Sequence, residues 1–153
     1  MKKLVFALFL TMGSVAAISC SDDKEETAAP VTPLTVTGTL TGAQEVPAVT
    51  SSATGTVSGT YNKETKVFQY TVTFSGLTPT AGHFHIGAPG STGPVSIPLL
   101  FNNSTANGFV SPITGSATLT DAQATALLGN SLYANLHTAA FPSGEIRANV
   151  TAK

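Results

Sequence analysis

The sequence predicts an all-β domain, a sandwich or barrel of antiparallel strands that includes one short helix. Between Leu34 and Lys153, short apolar or alternating runs are repeatedly interrupted by glycine, proline, serine and asparagine. The clearest run, Lys66–Phe74, alternates large apolar residues with glutamine and threonine, the pattern of a half-buried antiparallel strand. Frequent turn signals between short strands favour a sandwich or barrel over an α/β sheet.

Eight strands are expected in this region. The segment Tyr61–Lys66 contains turn-forming residues and is expected to connect the second strand to the third as a hairpin. The eight expected strands are Leu34–Leu40, Ala53–Tyr61, Lys66–Phe74, Ala81–Ile86, Val95–Leu100, Ile113–Leu119, Leu132–His137 and Glu145–Thr151.

One segment departs from the strand pattern and predicts a short helix near Thr120–Gly129. Thr120 and Gln123 have the spacing of a capping box, in which each side chain satisfies a backbone N–H group of the other residue. Gly129 and Asn130 then supply a stop signal. The helix is expected to close one end of the sandwich, which is a structural role.

The beginning of the chain indicates export. Residues 1–19 combine a basic start with a short apolar run that ends at Cys20, which resembles a lipoprotein signal peptide with Cys20 as the lipidation site. An ordinary signal peptide cut nearby is the alternative. Residues 20–33 are acidic and then rich in proline and threonine, as in a flexible tether. We therefore expect an outer-membrane lipoprotein, and the acidic run resembles signals for display at the cell surface.

The remaining region, 34–153, has the length of a single domain. It is nearly neutral, and no basic stripe is present, so nucleic acid is not an expected partner. It contains no second apolar span, so the lipid would be the only membrane anchor. Cys20 is the only cysteine, which excludes an internal disulfide.

All three histidines fall in two of the expected strands. In the first, His83 and His85 alternate with Phe84 and Ile86, so both imidazoles lie on the face opposite the core. In the second, His137 shares its face with polar residues. Imidazoles gathered on one polar face could bind a metal ion or a partner.

A three-histidine metal site follows if the two strands are neighbours. Side chains at positions 83 and 85 are separated by about 6.6 Å along a strand and can converge on one ion. Glu145 lies on one face of the last strand together with Arg147, and could serve as a fourth ligand or as a group that orients a ligand. Imidazole donors would suit zinc or copper. The alternative needs no ion: the same polar side chains could hydrogen-bond the loop 87–93 and hold it against the sheet.

Several short motifs occur together in a fixed order and give the chain a family resemblance. They are Gln44–Pro47, His83–Gly87 followed by Gly93–Val95, Tyr133–Thr138, and Pro142–Arg147. The set resembles the CHRD domain, named for chordin and also found in secreted bacterial proteins, over about Leu34–Val150. The other domains of chordin are absent, so growth-factor antagonism is not carried over.

The resemblance implies an immunoglobulin-like β-sandwich with a faint likeness to copper–zinc superoxide dismutase around the His-x-His segment. It implies no catalytic activity. The residues of interest at or beside its motifs are His83, His85, His137, Glu145, Asn135, Thr138, Arg147 and Glu45.

Two functions remain open, and neither is enzymatic. The first is a lipid-anchored binding or adhesion module for a protein or glycan. The second is a metal-binding envelope protein that uses His83, His85 and His137. A dismutase site would need more histidines and an aspartate, and Asp121 is better explained by the helix start. The sequence contains no Gly-x-Ser-x-Gly turn of a serine hydrolase. The sequence leaves the oligomeric state open.

Overall fold

A computed structural model describes residues 31–100 and 108–153. The expected signal peptide, Cys20 and nearly all of the tether lie outside these residues. Within the described part of the chain, no helix has the length and apolar character needed to cross a membrane.

The structure confirms the all-β prediction and places a strand in each of the eight expected runs. The last run is divided in two at Val150: the residues before it pair with β7, and those after it pair with β1. The strands are β1 Leu34–Thr41, β2 Thr54–Tyr61, β3 Val67–Ser75, β4 Ala81–Ile86, β5 Val95–Pro98, β6 Ile113–Thr118, β7 Leu132–His137, β8 Ile146–Asn149 and β9 Thr151–Ala152. A single 3-10 turn, Gly42–Gln44, follows β1.

The strands form one antiparallel sheet in the order β5–β4–β7–β8–β1–β2–β3–β6, and β9 also pairs with β1. The sheet bends over on itself, so its two ends face each other across the core. Phe84 of β4 shows this, since its ring centroid lies 5.3 Å from that of Phe68 and 5.1 Å from that of Tyr70, both on β3. The two layers are therefore the two halves of one sheet.

The core consists of the side chains that alternate inward from both halves of the sheet. Phe84, Phe68 and Leu136 are fully buried at its centre. Burial of such side chains is the main favourable contribution to folding, about 1.5–3 kcal/mol for each large apolar side chain.

The predicted helix is present as α1, Asp121–Leu128, with the expected capping box. The Thr120 hydroxyl accepts from the Gln123 N–H at 3.3 Å, and the Thr120 N–H donates to the Gln123 side chain at 2.8 Å. The Gln123 amide also donates to the carbonyl and the hydroxyl of Ser96 at 3.1 Å each, which attaches the start of the helix to β5. Leu127 is fully buried, so the helix packs onto the core.

The first and last strands of the domain meet at the centre of the sheet. β1 is paired with β2 along its whole length on one side, and with β8 and β9 on the other. The backbones of Thr35 and Lys153 exchange two hydrogen bonds, at 2.7 and 2.9 Å.

The two halves of the sheet differ on their outer sides. On β1–β3 the outward residues are threonine, serine and glutamine, which we call the hydroxyl face; its central hydroxyls, Thr56 and Thr73, lie 2.6 Å apart. On β7 the outward residues are covered by loops, and both Tyr133 and Asn135 are buried. This covered region contains the candidate site.

Candidate metal centre

The pairing of β4 with β7 brings the three histidines together. His83 lies opposite Asn135, and His137 lies opposite Ala81, so His137 is diagonal to His83 on the same side of the sheet. The ring centroid of His83 is 5.5 Å from that of His85 and 5.2 Å from that of His137. One ring nitrogen from each histidine lies within 4.8 Å of the other two, and in the described residues this is the one such group.

Two of the imidazoles are oriented by backbone carbonyls. Nδ1 of His85 lies 3.0 Å from the carbonyl oxygen of Gly93, and Nδ1 of His137 lies 2.9 Å from that of Pro142. Because a carbonyl only accepts, Nδ1 of each of these rings carries the proton and Nε2 carries the lone pair. Histidines that bind metals commonly donate their other N–H in this way.

The remaining nitrogens have the spacing of metal ligands. Nδ1 of His83 lies 3.3 Å from Nε2 of His137, and without an ion the His83 Nδ1–H donates to that nitrogen. A bound ion would replace this hydrogen bond, with His83 in its other tautomer. Two nitrogens that bind one tetrahedral ion at about 2.0–2.1 Å are themselves separated by about 3.3 Å. Nε2 of His85 is buried and has no hydrogen-bond partner among the described residues. An ion would supply that partner.

The environment keeps the imidazoles in the form that binds metals. Burial lowers the pKa of His83, and the neighbouring imidazoles of His137 and His85 lower it further. Burial also lowers the pKa of His85 and of His137, against the opposing effect of the carbonyl that each ring contacts. All three rings are therefore neutral at pH 7, the state that metal coordination requires.

Glu145 is not part of this group. Its carboxylate accepts from Ser51 Oγ at 2.8 Å and from Thr138 Oγ1 at 2.6 Å. Thr138 Oγ1 in turn accepts from the N–H of Phe141 at 3.2 Å, so the carboxylate fixes the loop that begins after β7. That loop carries the Pro142 carbonyl that orients His137. Of the two roles expected for Glu145, the geometry matches the orienting one.

A stack of three side chains lies beside the histidines. The ring of His85 is parallel to that of Tyr133, with centroids 4.8 Å apart and an interplanar angle of 6°. The guanidinium carbon of Arg147 lies 3.5 Å from the centroid of the same tyrosine ring. Arg147 is 1 % exposed and also donates to the carbonyl of Ala88 at 3.3 Å. The order His85–Tyr133–Arg147 follows the strand order β4–β7–β8.

The loop contacts expected from the sequence are present as well. The Tyr133 hydroxyl accepts from the N–H of Gly93 at 3.1 Å, and Arg147 reaches Ala88 on the same loop. The polar face therefore holds the 87–93 loop against the sheet, as the alternative without an ion requires. The two interpretations are compatible, because the same hydrogen bonds position His85.

Asn135 and Glu45 form a second group of hydrogen-bonded polar side chains. The Asn135 amide donates to both carboxylate oxygens of Glu45, at 3.2 and 3.1 Å. Burial raises the pKa of Glu45 to about 7, although Arg147 and the hydrogen bond from Asn135 act in the opposite direction. Gly144 lies against this pair, and a Cβ atom there would approach Asn135 Nδ2 to 2.5 Å. The Gln44–Pro47 motif is therefore joined to β7 by the hydrogen bonds between Glu45 and Asn135.

The sequence analysis did not identify Tyr133 as part of the site. The one available signal was parity, since Tyr133 shares its side of β7 with Asn135 and His137. The covering loop explains why an aromatic residue on the outward side is buried.

Comparison with known proteins gives one positive result. The family model described as CHRD domain matches residues 36–150. Neither the curated proteins nor the solved structures compared with the chain include a match.

Proposed function

The chain belongs to the CHRD domain family, a β-fold module of the binding type, and we propose that its function is to bind one zinc or copper ion through His83, His85 and His137. One observation carries the proposal. Three imidazoles from two paired strands bring one ring nitrogen each within 4.8 Å of the others, and backbone carbonyls hold His85 and His137 in the tautomer whose Nε2 can bind an ion. A buried Nε2 without a partner is unfavourable unless something binds it.

The proposed role is binding without catalysis. Three protein ligands leave a coordination position open for water or an exogenous ligand. The nearby carboxylates of Glu145 and Glu45 are engaged in hydrogen bonds with Ser51, Thr138 and Asn135, so neither is positioned as a base at the ion. We propose that the domain acts at the cell envelope, attached through a lipid on Cys20.

The metal proposal is tested by elemental analysis of the full chain purified without a histidine tag and equilibrated with zinc or copper. We expect one ion per chain in the wild type and none in the His83→Ala variant. The variant keeps only two histidine ligands, and no described carboxylate is placed to replace the third. His83 is only partly buried, so its truncation should leave the circular dichroism spectrum unchanged. Gln69→Ala, on the exposed hydroxyl face, is the control and should retain the ion. A wild-type chain that retains neither metal after dialysis refutes the proposal.

The second candidate function is adhesion through the hydroxyl face, and a separate observation favours it. Hydroxyl-bearing residues of β1, β2 and β3 are aligned in register, and a shallow depression of about 430 Å³ lies among them. A row of uncharged hydroxyls is suited to hydrogen-bond a glycan. Binding to immobilised glycans should be lost in Thr56→Lys and retained in His83→Ala. Equal glycan binding by the Thr56→Lys variant and the wild type would reject this candidate.

The lipid anchor has its own test. Replacing Cys20 by serine should move the protein from the membrane fraction to the soluble fraction, because no other membrane attachment is proposed. Unchanged fractionation of the Cys20→Ser variant would contradict the anchor, and it would leave the metal proposal intact.

A further inference from the structure

We infer that the three-histidine site selects a monovalent cuprous ion over zinc(II). The inference rests on the proposed metal-binding function and adds the identity and charge of the ion. It follows from the charge of the ligand set, from a guanidinium stacked beside that set, and from the number of ligands that the protein supplies.

The ligand set is neutral. Among the described residues, the group around His83, His85 and His137 contains no carboxylate or thiolate, so the charge of a bound ion is not offset by its ligands. The cost of transferring an ion from water to a poorly solvated site grows with the square of its charge, so a divalent ion costs about four times as much as a monovalent one. His85 is 8 % exposed, which places at least one ligand in such a site.

The stacked guanidinium adds to this difference. Arg147 is separated from His85 only by the ring of Tyr133, and both contacts are close, 3.5 Å and 4.8 Å. Arginine remains charged under all relevant conditions, so it repels any cation bound at His85. The repulsion is twice as large for a divalent ion as for a monovalent one. Glu145 is hydrogen-bonded to Ser51 and Thr138, and Glu45 to Asn135, so neither carboxylate is positioned as a ligand, although the charge of Glu45 acts on Arg147.

The number of protein ligands favours the same ion. Zinc in proteins is almost always four-coordinate, so this site would require a water, hydroxide or other anion to complete it. A cuprous ion has a filled d shell and is stable with three nitrogen ligands in a plane, which lie about 3.5 Å apart for bonds of about 2.0 Å. The 3.3 Å separation of His83 Nδ1 and His137 Nε2 is near the value for either geometry, so the number of protein ligands distinguishes the two ions and the spacing does not.

The experiment compares the two ions on the full chain at pH 7.5. Cuprous ion is supplied anaerobically with ascorbate and titrated against a bicinchoninate competitor, and zinc is titrated against a chromogenic chelator. We expect a dissociation constant for the cuprous ion at least about 100-fold below that for zinc, given a neutral ligand set and a nearby cation. Adding azide should tighten zinc binding, because the anion completes its coordination, and should leave cuprous binding unchanged.

A variant and its control isolate the contribution of Arg147. Arg147→Met removes the cation and keeps an apolar stem, so the preference for the cuprous ion should fall by about 10-fold, with zinc gaining most. Lys63→Met removes an exposed cation in the β2–β3 hairpin and should change neither affinity. If Arg147→Met does not fold, the two dissociation constants of the wild-type chain still decide whether the site prefers the cuprous ion.

The outcomes separate the inference from the function on which it rests. Zinc binding as tight as or tighter than cuprous binding, or zinc affinity that azide does not change, overturns the inference and leaves metal binding standing. A chain that binds neither ion overturns the proposed function itself.

Discussion

Replacement of Gly144 by alanine should strongly destabilise the domain. Gly144 has a φ angle of 131°, a region that residues with a side chain rarely adopt. A Cβ atom at this position would lie 2.5 Å from Asn135 Nδ2 and 2.8 Å from Glu45 Oε1. Both neighbours are buried and hydrogen-bonded to each other, so neither can move without breaking that contact.

The expected loss of stability has two parts. Holding a residue with a Cβ at an unfavourable φ costs about 1–3 kcal/mol. Forcing an additional carbon into a packed site costs a further ~1–3 kcal/mol. The free energy of unfolding should therefore fall by about 4 kcal/mol, which for a domain of this size lowers the melting temperature by roughly 15 °C.

The assay is urea denaturation followed by circular dichroism, with Gly90→Ala as the matched control. Gly90 also has a positive φ, 76°, but a Cβ added there would meet nothing within 4 Å. The control should lose only the backbone part, about 1 kcal/mol. If the two variants are destabilised equally, the buried contact between Gly144, Asn135 and Glu45 does not constrain the fold, and the reasoning is refuted.

Three further predictions concern pH, the helix cap and the core. Because the folded pKa of Glu45 is about 7 and the ordinary value is 4.5, the folded chain binds more protons between these values, and stability should fall by about 3 kcal/mol as pH rises through that window. Glu45→Gln should therefore be more stable than the wild type at pH 8 and similar to it at pH 4; identical urea midpoints at pH 8 would contradict this. Thr120→Ala should lower the free energy of unfolding by about 1 kcal/mol through loss of the cap, and an unchanged melting temperature would argue against the capping box. Phe84→Ala should cost about 3–5 kcal/mol in urea denaturation, since the side chain is fully buried against Phe68 and Tyr70, and a loss below about 1 kcal/mol would show that the sheet is not closed by this cluster.

The strands and the helix could be predicted because their signals are local. Alternation in β3 marks its buried side directly, and the spacing of Thr120 and Gln123 is sufficient to place the start of α1. The grouping of the histidines was predictable in part. Parity places His83 and His85 on one side of β4, but the approach of His137 depends on the register between β4 and β7. Register is set by long-range pairing, which a single sequence does not reveal.

The sequence did not reveal how deeply the polar side of β7 is buried. Alternation assigns Asn135 and Arg147 to an outward side, and such sides are often solvated in antiparallel sheets. Here the loops cover that side, so Asn135 is 4 % exposed and Arg147 1 % exposed. The partners of Asn135 and Glu145, namely Glu45 and Ser51, come from the segment after β1. Contacts between positions about ninety residues apart leave no local pattern, so the role of Glu145 as a loop anchor could only be seen in the structure.

The pairing of the first and last strands of the domain at the middle of the sheet has a consequence for the order in which the fold can form. Synthesis releases β1 long before the residues that complete its second edge, among them Lys153, which pairs with Thr35. That edge of β1 therefore has no partner until β8 and β9 have been made. Removing β9 would leave Val36 and Thr37 without the strand they pair with.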